Sequence, residues 1–205
     1  SSDVCSSDLK DLRDGKAFFD FTARIIYEKS QMHEDTEEMQ YYGGRLNHLW
    51  VDLFTIDELP ANKAASTWTL FLHTAIYGLA MGHRYKLDFG KYGVMGRICV
   101  WILSTVGRLI PMSVIRKLQH MAAVKDRKGK SPLRYYSNYQ PDYLYVTLQK
   151  EWCEETVDLP FEDTLLMAPK GWHEVLTWVY GDYMTPPPKE EQIPSHSSMK
   201  IKIMD

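Results

Sequence analysis

Asp52 is the residue whose surroundings point most directly to chemistry. It lies in the middle of the segment LWVDLFT, with apolar residues on both sides. An ionised carboxylate in apolar surroundings is costly unless a cation or several hydrogen-bond donors compensate it. In a site that handles phosphates, a divalent metal ion is the usual compensation. An ion pair with an arginine and a cap on backbone amides are the other interpretations, and the sequence leaves them open.

Asp20 and Arg24 form a second pair of candidates, on a strand predicted over residues 17–27. The alternation in AFFDFTARIIY places both side chains on the polar face of that strand. Arg24 could hold a phosphate in the planar fork geometry of its guanidinium group. It could equally form an ion pair with Asp20 on the same strand, and both interpretations stand.

The sequence pattern predicts that these side chains are positioned by an α+β domain. This domain would contain a small mixed sheet and a helical insert over about 62–124. The apolar run at 48–56 is typical of a strand buried on both faces. Asn62 can cap the helix that follows, in which apolar residues keep helical spacing to about residue 81. Residues 141–155 fit a helix or a strand. Further helices are predicted over 91–109, 112–124 and 171–180, and a hairpin around Glu162-Asp163.

Charge is strongly segregated along the chain. The net charge is -3, yet residues 83–134 carry 12 basic and 2 acidic side chains, and acidic residues predominate on either side. A basic segment of this kind predicts an anionic partner. Because apolar helices accompany it, peripheral contact with a membrane surface is one interpretation, and an ordinary solvated helical face is the other. No nucleic-acid motif is found, so nucleic acid is not expected as a partner.

The three cysteines indicate the redox setting. Cys5, Cys99 and Cys153 are widely spaced and contain no CxxC pair. This spacing argues against a disulfide framework and against a zinc site. We therefore expect a reducing, cytoplasmic location, with the basic segment at the inner face of the membrane if it makes the peripheral contact.

Three segments resemble motifs of the LicD family, which includes the fukutins. VDLFTIDELP, which contains Asp52, matches a VDIFPLDxLP-like motif, and FFDFTARI looks like a family segment upstream of it. PKGWHEVLTWVYGDYMTPPP is similar to the closing motif PKGYxxYLxxxYGDYMxxPP. The motifs follow the family's order, and the resemblance covers roughly residues 16–190.

The resemblance implies a nucleotidyltransferase-like fold and a phosphotransferase. Its substrate would be a CDP-linked alcohol, and it would transfer phosphocholine or a similar group to a glycan or lipid-linked glycan, such as lipopolysaccharide or teichoic acid. The implied cofactor is Mg2+ or Mn2+, with Asp52 as catalytic metal ligand and Asp57 as a further ligand or a loop cap. Tyr180, Asp182 and Tyr183 would line the donor or acceptor pocket, and helix termination is the other interpretation of that segment.

The chain departs from the family pattern at its N-terminal side. The glycine-rich segment and the paired aspartates that precede the first motif in the family do not occur, and Thr55 replaces a usual proline. We therefore expect the intact protein to be the enzyme and this chain alone to be inactive. Residues 1–9, SSDVCSSDL, match a common sequencing adapter translated in frame. The predicted LicD-like domain then covers 10–188, as an incomplete domain, and residues 189–205 form a disordered tail.

Two functions from other classes fit parts of the same pattern. One is a non-catalytic module that binds a membrane surface through the basic helices. Liposome binding without any nucleotide effect would favour it. The other is a sugar-nucleotide glycosyltransferase that uses Asp52 in a metal site. Binding of a UDP- or GDP-sugar in place of a CDP-alcohol would favour this second alternative.

Overall fold

The computed structural model describes residues 16–32, 36–126, 130–186, 188–192 and 202–203. Small antiparallel sheets and helices alternate along these ranges, so the predicted α+β class is confirmed. The adapter-like residues 1–9 lie outside the described ranges.

The strands are short and belong to four small sheets. Those in the described ranges are β1 (Ala23–Tyr27), β2 (Ser30–Gln31), β3 (Leu49–Leu53), β4 (Ile56–Leu59), β5 (Leu133–Tyr136), β6 (Thr147–Gln149), β7 (Thr156–Phe161), β8 (Thr164–Pro169) and β9 (Lys202–Ile203). β1 pairs with β3, β2 with β9, and β7 with β8, while β4, β5 and β6 form a three-stranded sheet. Every one of these pairs is antiparallel, whereas a mixed sheet was predicted. In the predicted hairpin only two residues join β7 to β8, which permits antiparallel pairing alone.

The helices follow the predicted pattern closely. They are α1 (Glu37–Tyr41), α2 (Lys63–Ala80), α3 (Val94–Gly107), α4 (Met112–Val124), α5 (Lys150–Cys153) and α6 (Trp172–Tyr180). The predicted cap of α2 is confirmed, because the side-chain oxygen of Asn62 accepts hydrogen bonds from the amides of Ala64 and Ala65 at 3.0 and 3.1 Å. The ambiguous segment 141–155 contains β6 followed directly by α5.

α2 forms the centre of the largest hydrophobic core. It packs on α3 and α4 and on the segment that precedes β1. The buried apolar residues of this core are Phe18, Phe21, Ile76, Tyr77, Ala80, Met81, Met112, Ile115 and Ala122. α3 comes close to α2 at Gly107, where an added Cβ would overlap the carbonyl oxygen of Leu79. The helices predicted between 62 and 124 therefore build the main core of the described domain.

The apolar run at 48–56 differs from the prediction. It divides into β3 and β4, which lie in different sheets. The buried side chain of Asn138 holds the break, donating to the carbonyl of Leu53 at 2.9 Å and accepting from the amide of Thr55 at 2.8 Å. β3 is not buried on both faces, and Val51 is 63% exposed. An apolar run indicates a tendency to be buried, but it does not say which neighbours will cover it.

Two short elements are described in the C-terminal segment, for which a disordered tail is predicted. A single turn of 3-10 helix spans Lys189–Glu191. β9 pairs with β2 in antiparallel register. A strand partner far away in sequence leaves little local signal, so composition alone predicted disorder here. The rest of 193–205 lies outside the described residues.

His73 on α2 is buried and forms a hydrogen bond with the side chain of Tyr135. Its Nε2 lies 2.8 Å from the Tyr135 hydroxyl oxygen. Burial lowers the pKa of His73 from its ordinary 6.5 to about 4, since the Asp57 charge, which raises the pKa, only partly opposes the cost of desolvation. Burial likewise raises the pKa of Tyr135 well above its usual range. Both side chains are therefore neutral in the folded protein near pH 7.

This pair predicts a loss of stability on acidification. Between pH 6.5 and about pH 4 the unfolded chain binds a proton at His73 that the folded chain excludes. The free energy of unfolding should therefore fall as the pH falls through this window, by about 3 kcal/mol in total. Urea titrations at several pH values measure it. His73→Gln should remove that part of the pH dependence, and an unchanged slope in the variant would contradict the assignment.

Candidate functional site: an acidic cluster beside an aromatic pocket

Asp20, Arg24 and Asp52 meet where β1 and β3 pair. Arg24 is opposite Asp52 in the strand register. Its two terminal nitrogens donate to the two oxygens of Asp20 at 2.9 and 2.7 Å, in bidentate geometry. Its Nε lies 2.8 Å from Oδ1 of Asp52. The amide of Thr22 donates to Asp20 at 2.9 Å. One guanidinium group therefore bridges two carboxylates, and the cluster keeps a formal charge of -1.

Arg24 is fixed by its surroundings as well as by its charges. The side chain is 5% exposed, and its guanidinium carbon lies 5.3 Å from the ring centre of Phe19 and 5.4 Å from that of Trp50. Burial by itself lowers the pKa of Arg24, but the hydrogen bonds and charges of Asp20 and Asp52 outweigh it and the pKa is raised. The Nε–H of Arg24 is not aligned for a hydrogen bond, so its contact with Asp52 is an ion pair.

The contacts in this cluster can be compared with the predictions for Asp20, Arg24 and Asp52. Arg24 forms the predicted ion pair with Asp20, whose carboxylate occupies its fork. The pair does not share a strand, because β1 begins only at Ala23 whereas the strand was predicted over 17–27. Asp52 has the arginine partner that the sequence left open, and its side chain is 36% exposed. The apolar burial predicted for Asp52 is therefore wrong, because β3 is largely exposed. Its Oδ2 lies outside the ion pair and is available to a ligand.

Asp57 makes its side-chain contact within the three-stranded sheet, not with this cluster. It is 3% exposed, within β4, and the hydroxyl of Ser137 donates to its Oδ2 at 2.6 Å. It is therefore a buried polar residue of the three-stranded sheet, not the loop cap that the motif suggested. Among the described residues, no group of three or more His, Cys, Asp or Glu side chains is arranged to hold a metal ion. Asp52 can supply one ligand to such an ion, but the described residues do not complete a metal site.

An aromatic pocket of about 250 Å³ opens beside the cluster. It is lined by Phe54, Tyr136, Tyr139, Tyr143, Val146, Val175, Leu176, Val179 and Tyr180. The Phe54 and Tyr139 rings lie 4.4 Å apart between centres, and Tyr139 and Tyr143 lie 4.5 Å apart at 76°. Phe54 follows Asp52 by two residues, so the pocket and the carboxylate share one stretch of chain.

Sequence reasoning missed most of this pocket. Of its lining residues only Tyr180 was a candidate. Phe54 enters it because Asn138 holds the break between β3 and β4, as described above. The signal that could have indicated the pocket is the density of tyrosines in YYSNYQPDYLY, residues 135–145. Their facing partners on α6 lie more than 30 residues further along the chain, so no local pattern joins them.

The ionisation of the tyrosines links the pocket to the cluster. Burial raises the pKa of Tyr139, and the neighbouring Tyr143, Tyr180, Asp52 and Asp20 add to the effect. Both carboxylates therefore lie within electrostatic range of this ring. Burial also raises the pKa of Tyr136, so the hydroxyls of Tyr136 and Tyr139 stay protonated at neutral pH and can donate hydrogen bonds.

The closing motif has mixed roles. Tyr180, at the end of α6, lines the pocket. Gly181 ends the helix with a φ of 70°, which favours glycine. Asp182 accepts a hydrogen bond from the hydroxyl of Thr185 at 2.6 Å, and Tyr183 pairs with Nδ1 of His173 at 2.8 Å. The structure thus brings Tyr180 to the pocket, while Asp182 and Tyr183 form local contacts at the helix end.

Comparison with known proteins identifies the class. The chain is 26% identical over 190 residues to the lipopolysaccharide cholinephosphotransferase LicD of Haemophilus influenzae. The aligned part is 86% of this chain and 66% of that protein, so the chain spans a little under two thirds of its length. No family model and no solved structure matches. This similarity and the shared motifs support membership of the LicD family.

Proposed function

We propose that the complete protein transfers phosphocholine, or a similar phosphorylated alcohol, from a CDP-linked donor to a cell-surface glycan. The relative's name supports the phosphocholine group and the lipopolysaccharide setting. The observation that carries the proposal is the position of the exposed Asp52 carboxylate beside an uncharged aromatic pocket. The carboxylate would belong to the site of phosphoryl transfer, and the pocket next to it would bind the alcohol.

In the proposed reaction a glycan hydroxyl attacks the phosphorus next to the alcohol. A new oxygen–phosphorus bond forms, the bond from that phosphorus to the CMP oxygen breaks, CMP leaves, and the proton of the hydroxyl passes to solvent. Charge neutralisation and positioning supply most of the acceleration in phosphoryl transfer. Arg24 positions Asp52 through the ion pair, and the pocket orients the alcohol. The motif residues Asp182 and Tyr183 shape the end of α6 from which Tyr180 reaches the pocket.

We propose Mg2+ or Mn2+ as the cofactor of the complete protein. Such an ion, when bound, neutralises charge on phosphate oxygens. Asp52 fits as one ligand, because Oδ2 lies outside its ion pair and the side chain is partly exposed. Asp57 does not fit, since it is buried and bonded to Ser137. Substrate phosphates, water and residues outside the described ranges would supply the other ligands.

Peripheral contact with a membrane is the second part of the proposed function, and the exposed side of α3 supports it. Within the described residues no single helix is long and apolar enough to cross a membrane, and α3 and α4 reach that length and composition only as a pair bent by 118°. The α3 surface consists of Val94, Met95, Ile98, Trp101 and Ile102, all exposed and at helical spacing. The exposed residues Arg97 and Arg108 flank it. Apolar contact with basic flanks suits an anionic bilayer surface, where a lipid-linked acceptor would lie.

The test uses the complete protein with CDP-choline and a choline-free acceptor, lipopolysaccharide or teichoic acid. We expect CMP release together with phosphocholine on the acceptor, and loss of both after chelation of divalent ions. Turnover of a UDP- or GDP-sugar in place of CDP-choline would contradict the proposal and favour a glycosyltransferase. Binding to anionic liposomes without turnover or nucleotide effect would favour a membrane-binding module instead.

A further inference from the structure

The aromatic pocket has a composition that suits a small cation without hydrogen-bond donors. Its described lining residues are aromatic or aliphatic, and none carries a charge. Its volume of about 250 Å³ is below the ~300–1,000 Å³ of sites for drug-sized ligands. The size of the pocket therefore suits a small headgroup.

The rings that line this space pack against one another at different angles. Phe54 and Tyr139 are tilted by 35° to each other, and Tyr139 and Tyr143 meet edge to face at 76°. Tyr136 lies 5.7 Å from Phe54, and Tyr180 lines the pocket at the end of α6. Aromatic faces carry negative charge density and attract a cation within about 6 Å of the ring centre.

The electrostatic surroundings add to this attraction. Asp20 and Asp52 lie within electrostatic range of Tyr139, and with Arg24 they keep a formal charge of -1. A cation in the pocket would therefore experience a negative potential. A neutral polyol would gain nothing from this potential, and only the tyrosine hydroxyls of the lining could replace its hydrogen bonds to water.

We infer that this aromatic pocket binds the trimethylammonium headgroup of choline, an inference that rests on the proposed function. A trimethylammonium group has no N–H donors, so burial against ring faces leaves no hydrogen bond unmade. A primary ammonium is strongly hydrated and has three N–H donors, for which the aliphatic side chains of α6 offer no acceptor and the tyrosine hydroxyls offer only a few. The pocket thus selects choline over ethanolamine, and it places the phosphate toward Asp52.

The test is titration calorimetry of the complete protein with three probes. They are choline, ethanolamine, and the neutral carbon isostere of choline in which tert-butyl replaces trimethylammonium. We expect choline to bind best. Tyr139→Leu should weaken choline binding on the order of 10-fold, because it removes one ring face. Tyr139→Phe keeps the face and should bind choline nearly as well as the wild type.

Phe71→Leu is the matched control, because it removes an exposed aromatic ring on α2 outside the pocket. Melting temperatures confirm that each variant folds. Equal binding of choline and its neutral isostere would overturn the inference, as would equal binding by Tyr139→Leu. If the protein transfers phosphocholine without these effects, the pocket assignment fails and the proposed function stands. Choline binding without any turnover of CDP-choline would contradict the proposed function and leave the pocket assignment intact.

Discussion

Asp52→Asn in the complete protein is expected to abolish transfer, with turnover reduced at least ~100-fold. The change removes one negative charge and keeps the shape of the side chain. Asparagine still presents an oxygen to Arg24, and position 52 is partly exposed, so the fold should tolerate it. We expect the melting temperature to stay within a few degrees of the wild type. Rates of CMP release and thermal unfolding curves measure the two effects separately.

A matched control for this change is Asp158→Asn. Asp158 is also a strand aspartate, exposed on β7, and the site contains no part of that hairpin. The control variant should turn over at the wild-type rate. Unchanged turnover in Asp52→Asn would remove Asp52 from the transfer site. A large loss of stability in that variant would instead mark the carboxylate as a structural partner of Arg24.

Arg24→Met is expected to lower the free energy of unfolding by about 3–5 kcal/mol, the usual cost of removing one partner of a buried ion pair. Arg24 is 5% exposed and Asp20 is 12% exposed, so the variant leaves the Asp20 carboxylate buried without its bidentate partner. It also removes the cation contacts with Phe19 and Trp50. Urea denaturation measures the loss.

Two further variants separate charge from geometry. Arg24→Lys keeps the charge and loses the fork, so its stability should lie between those of wild type and Arg24→Met. Combining Arg24→Met with Asp20→Leu removes the stranded carboxylate and should recover much of the loss. A loss below about 1 kcal/mol in Arg24→Met would show instead that the pair behaves like an exposed salt bridge.

Local elements of this fold were predictable because their causes are local. α4 and the β7–β8 hairpin occur where periodicity and turn residues placed them. Asn62 caps α2 as predicted, since its side chain reaches only the amides two and three residues further on. Helical spacing and capping depend on neighbours within a few residues. The burial of β3 depends on other strands and layers, and there the prediction was wrong.

The candidate site was predictable only in part. Asp20, Arg24 and Asp52 were identified from residue type, and the structure brings all three together. The same reasoning offered both the ion pair and the ligand interpretation for Arg24. The bidentate contact with Asp20 decided between them, and the register of β1 and β3 added Asp52 as a second partner.

The sequence by itself determined the α+β class, the positions of the main helices and the resemblance to the LicD family. These properties follow from short-range periodicity and from motifs whose residues are continuous in the sequence. Only the tertiary structure decided that Arg24 bridges two carboxylates and that rings from Phe54, the 136–143 segment and α6 enclose one pocket. The physical reason is that such contacts join residues far apart in the chain, and their distances depend on the packing of whole elements.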